Sequence, residues 1–326
     1  MAHFSSAHRN LTLLAAAGAL ALCGPARVDA QTATFKSGVD MVPLTVTVTD
    51  TSGRYITGLT GSDFTVLEDG VEQPVSFFAC GDVPVDLALV IDTSVSMRAD
   101  LPIVQSAASG LVRTLRGSDR GAVIEVKDTA GIPQPFTSDR LLIERSIRAL
   151  KTSGATALYD GLYVALKEFE RERRATLQVR RQVLVLLSDG LDTKSHLAFE
   201  DVMDLERRVG VNIYVIALRG DAALTPRARQ DGSILEAEFT MGAVARESGG
   251  RSFFPKDARE LPEIYAAIAQ ELASQYDLGY SPVRPGGNGA FRRVAVRMPP
   301  HTNAVARTRG GYYAPRTKTG VNAPPS

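Results

Sequence analysis

Asp92, Ser94 and Ser96 stand at every other position where an apolar run ends, in the stretch 85–97 that reads VDLALVIDTSVSM. The first half of that stretch, rich in Val, Leu and Ile, has the composition of a strand buried on both faces. A chain that leaves such a strand still extended points residues i, i+2 and i+4 the same way, so one carboxylate and two hydroxyls converge. Hard oxygen donors in that arrangement suit a small divalent cation, magnesium above all, with manganese or calcium as substitutes. Two further stretches offer the same chemistry. Residues 181–190 (RQVLVLLSDG) read as a second buried strand with Asp189 at its C-terminal end. Residues 153–159 (SGATALY) form a small-residue loop that presents Thr156 just before a helix.

The three pieces, in this order, resemble the metal-ion-dependent adhesion site of von Willebrand factor type A domains: Asp-x-Ser-x-Ser, then a loop Thr, then a strand-end Asp. The resemblance implies Asp92, Ser94, Ser96, Thr156 and Asp189 as the metal set, with Asp92 and Asp189 acting mostly through coordinated waters. Neutral Ser and Thr ligands leave the charge of the cation largely uncancelled. One coordination position would face solvent, and a partner carboxylate would displace its water there. Gly154 and Gly190 would let backbone pass close to the ion. Asp160 falls in the first turn of the following helix, where the helix dipole favours a carboxylate with or without metal; a supporting role behind the ligands is the other reading. Asp192 is placed to buttress the loop, a role the sequence leaves undecided. Where the wider group often has two glycines, this chain has Gly154-Ala155, and the added methyl tightens the loop.

The elements that must position these residues alternate strand with helix from about 84 to 274. That pattern implies an α/β fold with a doubly wound, mostly parallel sheet of six strands. Strands are expected at 85–91, 121–126, 183–188, 212–218 and 251–255, with a short edge strand near Pro135-Phe136. Helices are expected at 100–116, 139–150, 159–173, 198–209, 239–248 and 259–274. In the order 3-2-1-4-5-6 the first and fourth strands are neighbours, and ligands bind beyond their carboxyl ends. Asp92 and Asp189 end those two strands. Residues 39–78 alternate like short strands, as do 276–280, 291–298 and 303–309. The expected division is therefore an inserted α/β domain, 84–274, inside one small β domain built from 31–83 and 275–315, with a disordered tail at 316–326. The flanks, including Gly58-Leu59, the run 63–66 (DFTV), Glu68-Asp69-Gly70, the run 278–282 (LGYSP) and the run 311–315 (GYYAP), resemble bacterial VWFA-related proteins of the acidobacterial type, so the likeness covers about residues 39–315.

Composition bounds the rest. The chain has 326 residues, 44% of them hydrophobic, enough to bury a real core. Arg9 followed by the apolar run 11–22 and the small-residue site 28–30 read as a secretory signal peptide over 1–30, too short in its apolar part to span a bilayer. This predicts an exported protein, periplasmic or extracellular. Lipidation at Cys23 is disfavoured, because the preceding Leu22 is not small. Without residues 1–30, basic and acidic residues are equal in number, which argues against nucleic-acid binding. Cys80 is then the one thiol, so no internal disulfide forms, and it is expected to be buried at a junction. His196 and His301 are far apart and far in sequence from the motif, against a zinc site or a His-based nucleophile. The charged run 167–174 is read as a solvated helix face. The eight basic residues from Arg284 onward are read as an outward strand face.

The function expected from all this is a non-enzymatic, adhesion-type module that captures an Asp or Glu carboxylate of a protein partner. The alternatives are a scaffold whose metal is purely structural, and a metal-assisted hydrolase, which would need a nearby general base.

Overall fold

The computed structural model describes residues 41–81, 83–176, 178–188, 192–218, 233–284 and 289–315. The expected signal peptide over 1–30, the candidate lipidation site Cys23, and the tail 316–326 lie outside the described residues. Strands β1 (Val42–Thr49), β2 (Thr65–Glu68), β3 (Val71–Gln73) and β4 (Val75–Cys80) come first. The middle of the chain supplies β5 (Val85–Asp92), β6 (Arg120–Val126), β7 (Ala130–Thr137), β8 (Arg181–Ser188), β9 (Asn212–Ala217) and β10 (Ser252–Phe253). Between these strands run α1 (Leu101–Thr114), α2 (Arg140–Ala149), α3 (Leu158–Ala175), α4 (Phe199–Val209) and α5 (Ser233–Glu247), and α6 (Leu261–Ser274) follows β10. Strands β11 (Tyr276–Tyr280), β12 (Phe291–Arg297), β13 (Val305–Arg307) and β14 (Gly311–Tyr313) close the chain.

The six middle strands make one sheet in the order β10-β9-β8-β5-β6-β7, the order expected from the alternation. All neighbours are parallel except the β6–β7 hairpin. Every residue of β5 is buried, and the two-residue period of a strand sorts its side chains. Leu87, Leu89 and Ile91 enter a core with α1, α2 and α6. Ala88 and Val90 enter the opposite core with α3, α4 and α5. A strand covered on both faces by helices needs this unbroken apolar run. Helix α5 begins at Ser233, six residues earlier than the apolar spacing suggested.

The ends of the chain pair with each other. β1 lies between β13 and β11, and β11 also pairs with β4, giving a four-stranded sheet. A second sheet runs β14-β12-β2-β3. The inward faces of both meet in one core of Leu44, Val46, Val66, Leu278, Val294 and Tyr312. The strand β14, over the Gly-Tyr-Tyr segment, was not anticipated as a strand. Among the described residues no helix is long and apolar enough to cross a membrane.

Two expectations need correction. Cys80 is exposed rather than buried; it is the last residue of β4, an edge strand of its sheet among the described residues. The basic residues after Arg284 do not all face out. Arg293 and Arg297 are exposed, whereas Arg292 and Arg309 are buried. Arg292 is paired with buried Glu68 at 2.6 Å, and Arg307 with buried Glu271. Alternation assigns residues to faces, but in a sheet with a second layer on it one of those faces is interior, and acids waiting there draw arginines inward. The run 167–174 behaves as expected over Lys167–Glu170 and Glu170–Arg174, which pair at helical spacing. Glu168 is the exception, being buried.

One buried acid makes a pH prediction. The side chain of Glu206 in α4 is pushed up to about 7 by burial, against the opposing pull of Arg309 and Arg207, with Glu247 adding to the rise. Its ordinary value is 4.5, so between those limits the folded chain holds a proton that the unfolded chain has lost. Stability from this group is intact below the lower value and is lost as pH rises through the upper one. Glu206→Gln should therefore raise the melting temperature at pH 8 and change it little at pH 5, with a difference on the order of 3 kcal/mol. Equal changes at both pH values, in thermal melts, would refute this.

Candidate functional site

Asp92 ends β5 fully buried. Its Oδ1 accepts the Ser94 N–H at 2.8 Å, and its Oδ2 accepts the Ser188 hydroxyl at 2.7 Å. The first contact turns the chain sharply off the strand; the second ties the ends of the two central strands together. Ser94 is buried and Ser96 exposed, with their hydroxyl oxygens 2.9 Å apart. The expected convergence of positions 94 and 96 is present, although a 3-10 turn over Val95–Arg98, rather than extended chain, produces it. The Asp92 carboxylate thus serves both the turn and β8.

The Thr156 loop is fastened to this turn and to two others. Val95 N–H donates to Gly154 O at 3.1 Å, and Ser153 N–H to Thr93 O at 2.8 Å. Buried Thr156 donates its N–H to Thr193 Oγ1 at 3.1 Å, while its carbonyl accepts the N–H groups of Thr193 and Lys194. With both backbone groups engaged, the hydroxyl is what Thr156 can offer a ligand. Asp192 settles its open role: Oδ1 accepts Leu158 N–H at 2.7 Å and Ser195 hydroxyl at 2.6 Å, so it caps the start of α3 and buttresses the loop. Asp160 accepts the N–H groups of His196 and Leu197 and faces His196 Nδ1 at 3.1 Å. Burial works against its charge, but these hydrogen bonds outweigh burial and hold the carboxyl below its ordinary range. It therefore ties the 192–197 segment to α3, a job beyond the helix dipole.

Asp189 and Gly190 lie outside the described residues. Ser188, the residue before Asp189, touches Asp92 as described above. Gly154 has φ +70°, and a Cβ there would also sit 2.0 Å from the Asp128 carboxylate. Sequence reasoning missed Asp128, Thr193, Lys194 and Ser195. None belongs to a spaced motif, yet Asp128 follows β6 at the same crest as Asp92, a placement the strand order implies. His196 also needs correction. It lies four decades of residues from Thr156 in sequence but reaches Asp160 on the helix that the Thr156 loop begins, so a histidine does stand beside the site, exposed.

Residues 87–191 match the family model of the von Willebrand factor type A domain. The chain contains a von Willebrand factor type A domain. The match takes in all five expected ligand positions and does not extend to the flanking strands. No curated protein matches the chain in sequence. Among solved structures, a von Willebrand factor type A protein from Catenulispora acidiphila is 12% identical, covering 87% of this chain and 76% of its own, at a TM-score of 0.49. The conserved hypothetical protein BatB from Bacteroides thetaiotaomicron is 17% identical over 58% of this chain and 97% of its own, TM-score 0.45. Proximal thread matrix protein 1 from the mussel byssus, with a zinc-occupied MIDAS motif, is 20% identical over 64% of this chain and 50% of its own, TM-score 0.49.

The donor chemistry of the type A domain here fits a hard cation. The Ser94 and Ser96 hydroxyls share a hydrogen bond at 2.9 Å, and adjacent ligands of an octahedral magnesium bonded at about 2.0–2.1 Å lie at about the same separation. Among the described residues no three His, Cys, Asp or Glu side chains cluster as a metal-ligand group.

Proposed function

We propose that this protein is a non-catalytic, exported binding module. Ser94, Ser96 and Thr156 hold magnesium directly, Asp92 and Asp189 hold it through water, and the ion captures an Asp or Glu side chain of a protein partner. The observation that carries this reading is the pair of neutral hydroxyls of Ser94 and Ser96, 2.9 Å apart, beside Thr156, whose backbone N–H and carbonyl are both engaged. Neutral ligands leave the cation able to attract a further anion, and the partly desolvated crest strengthens that attraction beyond a surface salt bridge. The signal-like residues 1–30 support export, and the acidobacterial-type likeness of the flanks supports an envelope or secreted setting.

The test is recovery of partners from native envelope material on the immobilised chain. Binding should require magnesium, release with chelator, return when magnesium is restored, and be competed by a short Asp-containing peptide. Partners held equally with and without chelator would instead favour a scaffold that binds through its β-sheets.

A further inference from the structure

The hairpin turn between β6 and β7 runs along both sides of Thr156. Lys127 O accepts Ala157 N–H at 2.8 Å, and Asp128 Oδ1 accepts Ala155 N–H at 3.2 Å. The same Asp128 oxygen lies 3.3 Å from Lys194 Nζ, and the Lys194 N–H donates to Thr156 O at 3.1 Å. The other Asp128 oxygen occupies the space a Cβ on residue 154 would need. Asp128 thus meets the loop three ways: through the amide before Thr156, through the residue bonded to its carbonyl, and through the glycine two residues back. Both side chains of the Asp128–Lys194 pair are half exposed, so the pair adds little to global stability. An exposed carboxylate that spends itself on a loop amide is better explained by what the loop presents.

We propose that Asp128 is a positioning residue for the type A site, pinning the Ala155 amide so that Thr156 is pre-set for the cation, and that it thereby sets the cation affinity. This rests on the metal reading above. Groups that orient metal ligands from behind change affinity by about 10- to 100-fold when removed. The Ala155 methyl has a part in the argument: a second glycine there would leave the loop more conformations to lose on ordering, and the Asp128 contact supplies further restraint from outside. The Asp128 carboxyl is held below its ordinary value, first by the Ala155 amide and then by Lys194, so it is an anion in this role at neutral pH.

The experiment compares the full chain with Asp128→Ala and Asp128→Asn. Hydrogen exchange over the 153–157 loop is read in chelator, and magnesium affinity by calorimetry. Asp128→Ala should speed exchange at Ala155 about tenfold and weaken magnesium about tenfold, with the metal-free melting temperature within about 2 °C of the unaltered chain. Asp128→Asn keeps an oxygen acceptor and should stay within about threefold on both measures. Unchanged exchange and unchanged affinity in Asp128→Ala would overturn the proposal. If the unaltered chain takes up no magnesium, the metal reading fails and the affinity claim with it, while the exchange data, taken without metal, report separately whether Asp128 orders the loop.

Discussion

The Asp92→Asn chain is expected to melt at one temperature with or without magnesium, whereas the unaltered chain gains about 5 to 10 °C in saturating metal. The size follows from linkage: a ligand at 100 times its dissociation constant adds about 2.7 kcal/mol, and in a domain of this size about 1 kcal/mol moves the midpoint by about 2–4 °C. Asparagine is the informative replacement. Its oxygen can keep the Ser94 N–H bond, and the Ser188 hydroxyl can rotate to accept the amide that replaces Oδ2. The turn survives, and what disappears is the formal charge opposite a dication, in a site removed from water. Asp92→Ala would mix two effects, because it strands two buried donors at about 1–3 kcal/mol each. Circular-dichroism melts of both chains, with magnesium and with chelator, decide the matter. An equal magnesium response in Asp92→Asn and the unaltered chain would remove Asp92 from the metal set.

The parallel sheet was legible because its signals are long. A buried central strand such as β5 carries a near-continuous apolar run, and several such runs alternating with helical spacing leave few topologies. The crest was legible for a related reason: residues that end adjacent strands meet whatever the loops do. What the sequence hid is the support. Asp128 and Thr193 reach the Thr156 loop, and Ser195 the first turn of α3, through hydrogen bonds that span 27, 37 and 35 residues of chain, and a lone Asp, Thr or Ser in a turn carries no periodic mark. The flanking strands were harder still. Short strands that alternate in polarity reveal which residues share a face but not which face is covered, so the inward turn of Arg292, Arg307 and Arg309 was invisible until Glu68, Glu206 and Glu271 were placed.

Glu271 carries the second large effect. It lies on α6, almost fully buried, where the parallel sheet, that helix and the first antiparallel sheet come together. Oε1 accepts the Tyr214 hydroxyl of β9 at 2.6 Å and the Thr47 hydroxyl of β1 at 3.3 Å, and it is paired with Arg307 of β13. Oε2 accepts the Tyr55 hydroxyl at 3.2 Å. Burial, then the charge of Glu271, push the Tyr214 phenol well up, so it remains a donor at any working pH. Gln275, the single residue between α6 and β11, reinforces the same point by donating to Tyr214 and Thr47. Removing one member of a buried ion pair costs about 3–5 kcal/mol, because the partner stays behind desolvated. Glu271→Ala should lose about that much in urea unfolding: the buried Tyr214 hydroxyl loses its acceptor, and Arg307 loses its ion-pair partner while keeping the Gly249 and Gly250 carbonyls. Glu271→Gln keeps the shape and two acceptor lone pairs and should lose clearly less, since only the charge-assisted share of the network is gone. Magnesium affinity should be the same in both variants and the unaltered chain, because none of these partners touches Asp92, the Thr156 loop or the residues that brace them. A Glu271→Ala chain within about 1 kcal/mol of the unaltered one would show that the junction is held by apolar packing alone. A loss of magnesium affinity in it, at temperatures where it is folded, would mean that α6 transmits strain from the junction to the crest.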